Sequence, residues 1–287
     1  MLGAGDVREL LARHGLEARR SLGQNFVADP NTVRKVARLA GIGPRDLAVE
    51  VGPGLGSLTL ALLETGAAVL AIEKDVSLLP VLAEVLAGAP GPDGDPVPEG
   101  RVRVVGADAL CVDWSELLDG RPATLVANLP YNVAVPVVLD VLRRAPTVER
   151  LVVMVQQEVA ERLAAGPGGR TIGVPSVKVA WFGTASVLTT VPPDVFVPRP
   201  RVMSAVVGID RRPPPSRVVG PDDVFPLVER AYRQRRKMLR STLGGLVPAA
   251  VWDATGIAPT ARPEELAVTD WARLAEALRA GTAEAAR

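Results

Sequence analysis

With 287 residues, 48% of them hydrophobic, the chain can bury one large core and a smaller one. Its single cysteine excludes an internal disulfide and fits a reducing cytosol, and one Cys with one His cannot build the usual zinc clusters, so no metal is expected. No stretch approaches the ~18–20 apolar residues of a membrane span and the first residues lack the apolar run of a secretion signal, while a net charge of only +1 hides two basic segments on an acidic body.

The first basic segment, residues 1–45, holds eight Lys/Arg against four Asp/Glu. Within it residues 1–24, with Arg8, Arg13, Arg19 and Arg20, read as a mobile arm that orders on a substrate and leaves His14 at the surface. Next comes a buried strand at 47–51, entering the turn Gly52-Pro53-Gly54-Leu55-Gly56 and a helix at 58–64. Glycines at a strand-to-helix turn let a ligand approach the backbone near a helix N-terminus. Their spacing is not that of the dinucleotide fingerprint. A second strand, 67–73, ends in Glu73, about 20 residues beyond the turn, where a carboxylate can bind a ribose hydroxyl pair. A helix at 78–86 follows, then residues 88–100, too rich in Gly and Pro for either element and read as a surface insertion. A third strand, 101–105, precedes Asp108, placed to accept from an adenine amino group.

The fourth strand, 123–127, delivers Asn128-Leu129-Pro130-Tyr131. This set suits an exocyclic amine on a flat ring: the Asn128 side-chain oxygen and Leu129 carbonyl can accept its two N–H groups, Pro130 makes the turn rigid, and Tyr131 can stack on the ring. A fifth strand lies at 151–155, and strands at 184–191 and 202–209, joined by the Pro-rich 192–200, suggest an antiparallel hairpin closing the sheet. Strands alternating with helices argue for a parallel, doubly wound α/β sheet, whose ligands bind at the carboxyl ends of its strands. Pro213-Pro214-Pro215 marks a stiff linker, so the domains are expected at 1–212 and 213–287, the second helical. The other basic segment, 199–240, holds eleven Lys/Arg against four Asp/Glu. If 223–243 is one helix, Arg233, Arg236, Lys237 and Arg240 share a face able to track phosphates.

The ordered series of Gly-rich turn, Glu73, Asp108 and Asn128–Tyr131 fits S-adenosylmethionine better than NAD. At this point the chain resembles the ribosomal RNA small subunit adenine N6,N6-dimethyltransferase family of the KsgA/RsmA type. The likeness runs from Ser21-Leu22-Gly23-Gln24-Asn25-Phe26 through these motifs to Gln157–Leu163, Phe196–Val207 and Gln234–Gly244. It implies a Rossmann-like class I methyltransferase domain with a small C-terminal helical domain, and a cofactor held by Asn25, Val27, Gly52, Gly54, Glu73, Asp108 and Asn128. It implies a base site at Asn128, Leu129, Pro130 and Tyr131, with Phe196 covering the base's other face. For Phe196, burial in the core is an open alternative. The implied reaction is dimethylation of two adjacent adenosines in a loop near the 3′ end of 16S rRNA, in a small ribosomal subunit precursor, by a cytoplasmic monomer. Val27, Ile172 and Met203 depart from the family's more usual Leu, Tyr and Asp. Two alternatives stand: a large-subunit rRNA methyltransferase of the antibiotic-resistance type, and an assembly factor whose binding role dominates.

Overall fold

Runs rich in Val, Leu and Ala that are buried on both faces become the inner strands of a helix-covered parallel sheet, as in Leu47–Val51, whose five residues are all buried. The computed structural model describes residues 1–95, 98 and 100–285. Its strands are β1 Phe26–Val27, β2 Leu47–Val51, β3 Ala68–Glu73, β4 Val102–Gly106, β5 Ala123–Asn128, β6 Val148–Gln156, β7 Gly183–Val191, β8 Phe196–Val197 and β9 Ser204–Arg211. Seven of them form one sheet in the order β4-β3-β2-β5-β6-β9-β7, while β1 and β8 make an antiparallel pair. Strands β2 to β6 are parallel to their neighbours and β9 runs antiparallel to β6. From β2 the chain builds outward through β3 to β4, then returns to place β5 on the other flank of β2. The order therefore reverses between β2 and β5, the crevice where ligands bind in such sheets.

The helices are α1 Ala4–Arg13, α2 Pro30–Ala40, α3 Ser57–Glu64, α4 Leu79–Ala87, α5 Trp114–Leu118, α6 Ala134–Arg144, α7 Gln157–Leu163, α8 Val174–Phe182, α9 Pro221–Tyr232, α10 Leu239–Leu243, α11 Ala249–Thr255 and α12 Val268–Ala285. Local signals set their ends. For α2, the Asp29 carboxylate accepts from Thr32 N, Pro30 opens the helix, Gly41 closes it in the left-handed region, and Val33, Val36, Ala37 and Ala40 supply the buried face.

The described chain divides into two units, Met1–Ala160 with Ser186–Asp210, and Glu161–Ala185 with the segment from Arg211 onward. The helical unit thus includes residues ahead of the expected 212/213 boundary. Trp181 and Phe182 of α8 pack edge-on against Phe225 of α9, with ring centroids 6.2 and 6.0 Å apart. That contact joins α8 to the helices that follow.

Two expectations need correction. The N-terminal segment is not a mobile arm: Val7, Leu10 and Leu11 recur at helical spacing and bury α1 against Leu55, Leu78 and Val81, and His14 Nε2 lies 2.7 Å from Glu84 Oε2. Nor is 223–243 one helix. It breaks after Tyr232, and Met238 is extended with ψ 150°. The break turns Leu239 and Leu243 fully inward, and the Leu239 and Arg240 N–H groups bond to Ala261 O and Pro259 O instead of to the preceding helical turn. Arg233, Arg236 and Lys237 therefore sit on a turn, apart from Arg240 in α10. In the Gly/Pro-rich 88–100 run, Ala89 is buried in the core, and residues 96, 97 and 99 lie outside the described residues.

Candidate active site

At the β2/β5 reversal a cleft is walled by the carboxyl ends of β2, β3, β4 and β5 and covered along one side by residues 21–27. Asn25, Val27, Gly52, Gly54, Glu73, Asp108 and Asn128–Tyr131 all line it. The turn after β2 can be tight because Gly52 and Gly54 take φ of 72° and 58°, a region costly for other residues. At Gly54 a Cβ would also stand 3.0 Å from the Phe26 ring.

Glu73 ends β3 almost wholly buried, its Oε2 accepting from Gly54 N at 3.0 Å and its Oε1 from Asp75 N at 2.7 Å. Burial pushes its pKa above the ordinary carboxylate value, while the two backbone donors pull the other way. Glu50, at the end of β2, is 1% exposed and accepts from Thr59 Oγ1 at 2.6 Å. Burial, with the charge of Glu73 adding to it against the Thr59 hydrogen bond, pushes Glu50 up to about 8. Asp108 is the opposite case. Lys74 Nζ, 2.7 Å from Oδ2, and Leu110 N, 3.0 Å from Oδ1, hold it below its usual range.

Asn128 closes β5. Its Nδ2 donates to Asn25 O at 3.0 Å, which orients the amide and reserves Oδ1 as an acceptor. Among the described residues neither that oxygen nor the Leu129 carbonyl accepts a hydrogen bond. The two acceptors expected for an amine thus belong to residues that line the cleft and are not engaged by other protein groups among the described residues. The buried Leu129 side chain and the bond from Leu129 N to Met154 O fix the turn from below. Tyr131 is half-buried, and its hydroxyl shares a 2.8 Å hydrogen bond with Ser204 Oγ, which holds the ring in place. Burial raises the Tyr131 pKa, so the phenol stays neutral.

Phe196 is not brought to this cleft. It is 2% exposed, pairs with Val27 across β1 and β8, and packs in the central core, so its ring is committed to burial. Within the helical unit, Arg233, Arg236 and Lys237, with Arg262, line a concavity, and Arg235 pairs with Glu264 at 2.6 Å. Arg240 does not line it. Ile172 is buried, while Met203 is exposed, so neither departure from the family pattern leaves a buried charge without a partner. Sequence reasoning placed Arg19 only in a basic arm and Gln24 only in a motif, and gave no role to Asp75 or Ser204. Asp75-Val76-Ser77 carries a local capping signal, but the partners that give Asp75 and Ser204 their place lie 51 to 73 residues away.

Residues 15–280 match the model of the ribosomal RNA adenine dimethylase family. The chain belongs to this family. It is 50% identical to a protein of Kineococcus radiotolerans named ribosomal RNA small subunit methyltransferase A, over 100% of this chain and 94% of the relative. The protein of the same name from Thermobifida fusca is 48% identical over 96% of each. Among solved structures, a dimethyladenosine transferase from Plasmodium falciparum aligns with TM-score 0.70 at 21% identity, covering 86% of this chain and 94% of that one. The 23S rRNA methyltransferase ErmE aligns with TM-score 0.65 at 25% identity, covering 89% and 100%. The fold is that of class I S-adenosylmethionine-dependent methyltransferases with added C-terminal helices. Among the described residues no group of His, Cys, Asp and Glu could hold a metal ion, and no helix is long and apolar enough to cross a membrane.

Glu50 has a measurable consequence. The folded chain keeps it protonated where the unfolded chain does not, so its contribution to stability is complete below about 4.5 and is lost as pH rises toward about 8. Glu50→Gln keeps an acceptor for Thr59 and removes the titration. In thermal melts the variant should gain on the wild type steadily between about pH 5 and pH 8; a difference independent of pH would show that Glu50 is ionised throughout.

Proposed function

We propose that this protein transfers methyl groups from S-adenosylmethionine to N6 of two adjacent adenosines in a loop near the 3′ end of 16S rRNA, in the cytoplasm, on a precursor of the small ribosomal subunit. The observation that carries the reading is the meeting, in one cleft, of Glu73, Asp108 and the open acceptors Asn128 Oδ1 and Leu129 O. The identity of 50% and 48% to small-subunit methyltransferases, against 25% to the large-subunit enzyme ErmE, supports the small subunit as target.

The cleft fits the cofactor. The turn at Gly52 and Gly54 admits a ligand against the backbone, buried Glu73 presents a carboxylate fixed by two N–H donors, and Asp108 offers acceptor oxygens on the β4 side. When bound, S-adenosylmethionine supplies an electrophilic methyl group. The chain's own work is positioning and polarisation. An adenine in a duplex cannot reach the site, so the target base is unstacked and turned in over Tyr131. Asn128 Oδ1 and Leu129 O then accept the N6–H bonds and return electron density to a nitrogen whose lone pair is otherwise delocalised into the ring. Held this way, N6 would be aligned to take the methyl group as its bond to sulfur breaks and a neutral thioether leaves, and the N6 proton, made acidic by methylation, would pass to water without a strong base. Stacking rests on Tyr131 alone, since the Phe196 ring is buried. After the first transfer the same acceptors hold the one remaining N6–H.

We assign RNA docking to Arg233, Arg236 and Lys237 on the turn and Arg240 in the helix after it, because their positive charges suit phosphates.

Two outcomes test this function. Asn128→Ala should bind cofactor and RNA with only modest losses, yet single-turnover methylation of small-subunit particles should slow by roughly a hundredfold, the scale for losing one preorganised polar contact in a transition state. A rate within a few-fold of wild type would remove the polarising role. Replacing all four cations with Gln should leave cofactor affinity intact and reduce the slope of log K against log salt by roughly three to four units. Superimposable salt titrations would show that these side chains are only solvated surface.

A further inference from the structure

The acceptor geometry at Asn128 depends on a segment that crosses the cleft, and on the β3 side that segment is tied to a buried acid. Asp75 is 4% exposed. Its Oδ1 accepts from Arg19 Nη1 at 3.0 Å and its Oδ2 from Gln24 Nε2 at 2.8 Å. The Gln24 amide is used at both ends, since its Oε1 accepts from Arg19 N at 2.8 Å. On the opposite wall Asn25 O accepts from Asn128 Nδ2 at 3.0 Å. Gly23, with φ 67°, lies so close to the base-site turn that a Cβ would stand 2.9 Å from Asn132 Oδ1 and 3.1 Å from Pro130 Cβ. Residues 19–25 therefore stretch from the end of β3 to the end of β5.

We propose that Asp75 is a positioning residue, latching residues 19–25 across the cofactor cleft through Arg19 and Gln24 and thereby fixing the Asn128 amide. The proposal rests on the site reading above. Asp75 acts twice on the same cleft: its N–H holds the Glu73 carboxylate, while its own carboxylate holds the strap. The strap covers the cofactor position, so spent cofactor leaves and fresh cofactor enters when the latch opens. Two rounds of transfer per base make that exchange part of each dimethylation. The Arg19 side chain is 52% exposed while Asp75 is buried. A half-exposed ion pair is weak enough to break in each cycle, and the buried carboxylate draws it shut again.

The test is the double variant Arg19→Ala/Gln24→Ala, which keeps Asp75 and its contact with Glu73. Hydrogen exchange should quicken in residues 19–25 while α1 and β2 keep their protection, and S-adenosylmethionine should bind roughly tenfold more weakly as the closed strap becomes a minority state. Methyl transfer at saturating cofactor should also slow, because Asn128 loses its fixed orientation, and Arg19→Lys alone should stay near wild type. Unchanged exchange in 19–25 together with unchanged affinity would overturn the latch, as would loosening spread equally over α1 and β2. Exchange reads the latch without cofactor. A wild type that failed to bind S-adenosylmethionine would overturn the site reading alone, and the latch would still be judged by the exchange.

Discussion

The buried carboxylate of Glu73, held between the N–H groups of Gly54 and Asp75, is the interaction on which the rest of the cleft depends. An anion removed from water is costly unless its lone pairs are satisfied, and two backbone donors from successive loops offset that cost here. Satisfying them fixes geometry. The Gly54 bond sets the turn after β2, which φ 58° and the Phe26 ring permit only to glycine, and the Asp75 bond sets the loop after β3. Glu50 lies one strand away and is also buried, yet its pKa near 8 keeps it largely neutral, so Glu73 does not face a second full charge at the end of β2.

The parallel core was legible because its strands are short Val, Leu and Ala runs between helix-length amphipathic stretches, and such runs admit few other readings. Once that order was read, the cleft followed from topology: the Gly-rich turn, Glu73, Asp108 and Asn128 each lie at or just past the end of a strand, and a doubly wound sheet brings strand ends together. What escaped depends on distant partners. The kink between Tyr232 and Leu239 exists because Leu239 and Leu243 must reach the core and because Pro259 and Ala261 offer carbonyls, and no local pattern announces either. The cations Arg233 to Arg240 kept their helical spacing on paper but lost their shared face. Phe196 was misplaced for a related reason, since an aromatic at a predicted loop looks available until β1 and β8 pair and bury it.

Acceptors and an aromatic face, with no general base among them, suit a nucleophile that is weak because of delocalisation and not because it is protonated. Asn128 reaches that arrangement only through its bond to Asn25 O, and Tyr131 only through Ser204. The proposed base site therefore leans on residues outside its own tetrapeptide. The folding of α1 onto Leu55, Leu78 and Val81 belongs to the same logic, because it anchors the residues just before the segment that lines the cleft.

Calorimetric titration of S-adenosylmethionine into wild-type protein and into Glu73→Ala tests the central role of this carboxylate most directly. With folding verified by melting, the variant should lose about 1.5–3 kcal/mol of binding free energy, the scale for hydrogen bonds to a charged group. A folded Glu73→Ala protein that binds the cofactor as tightly as wild type would contradict it.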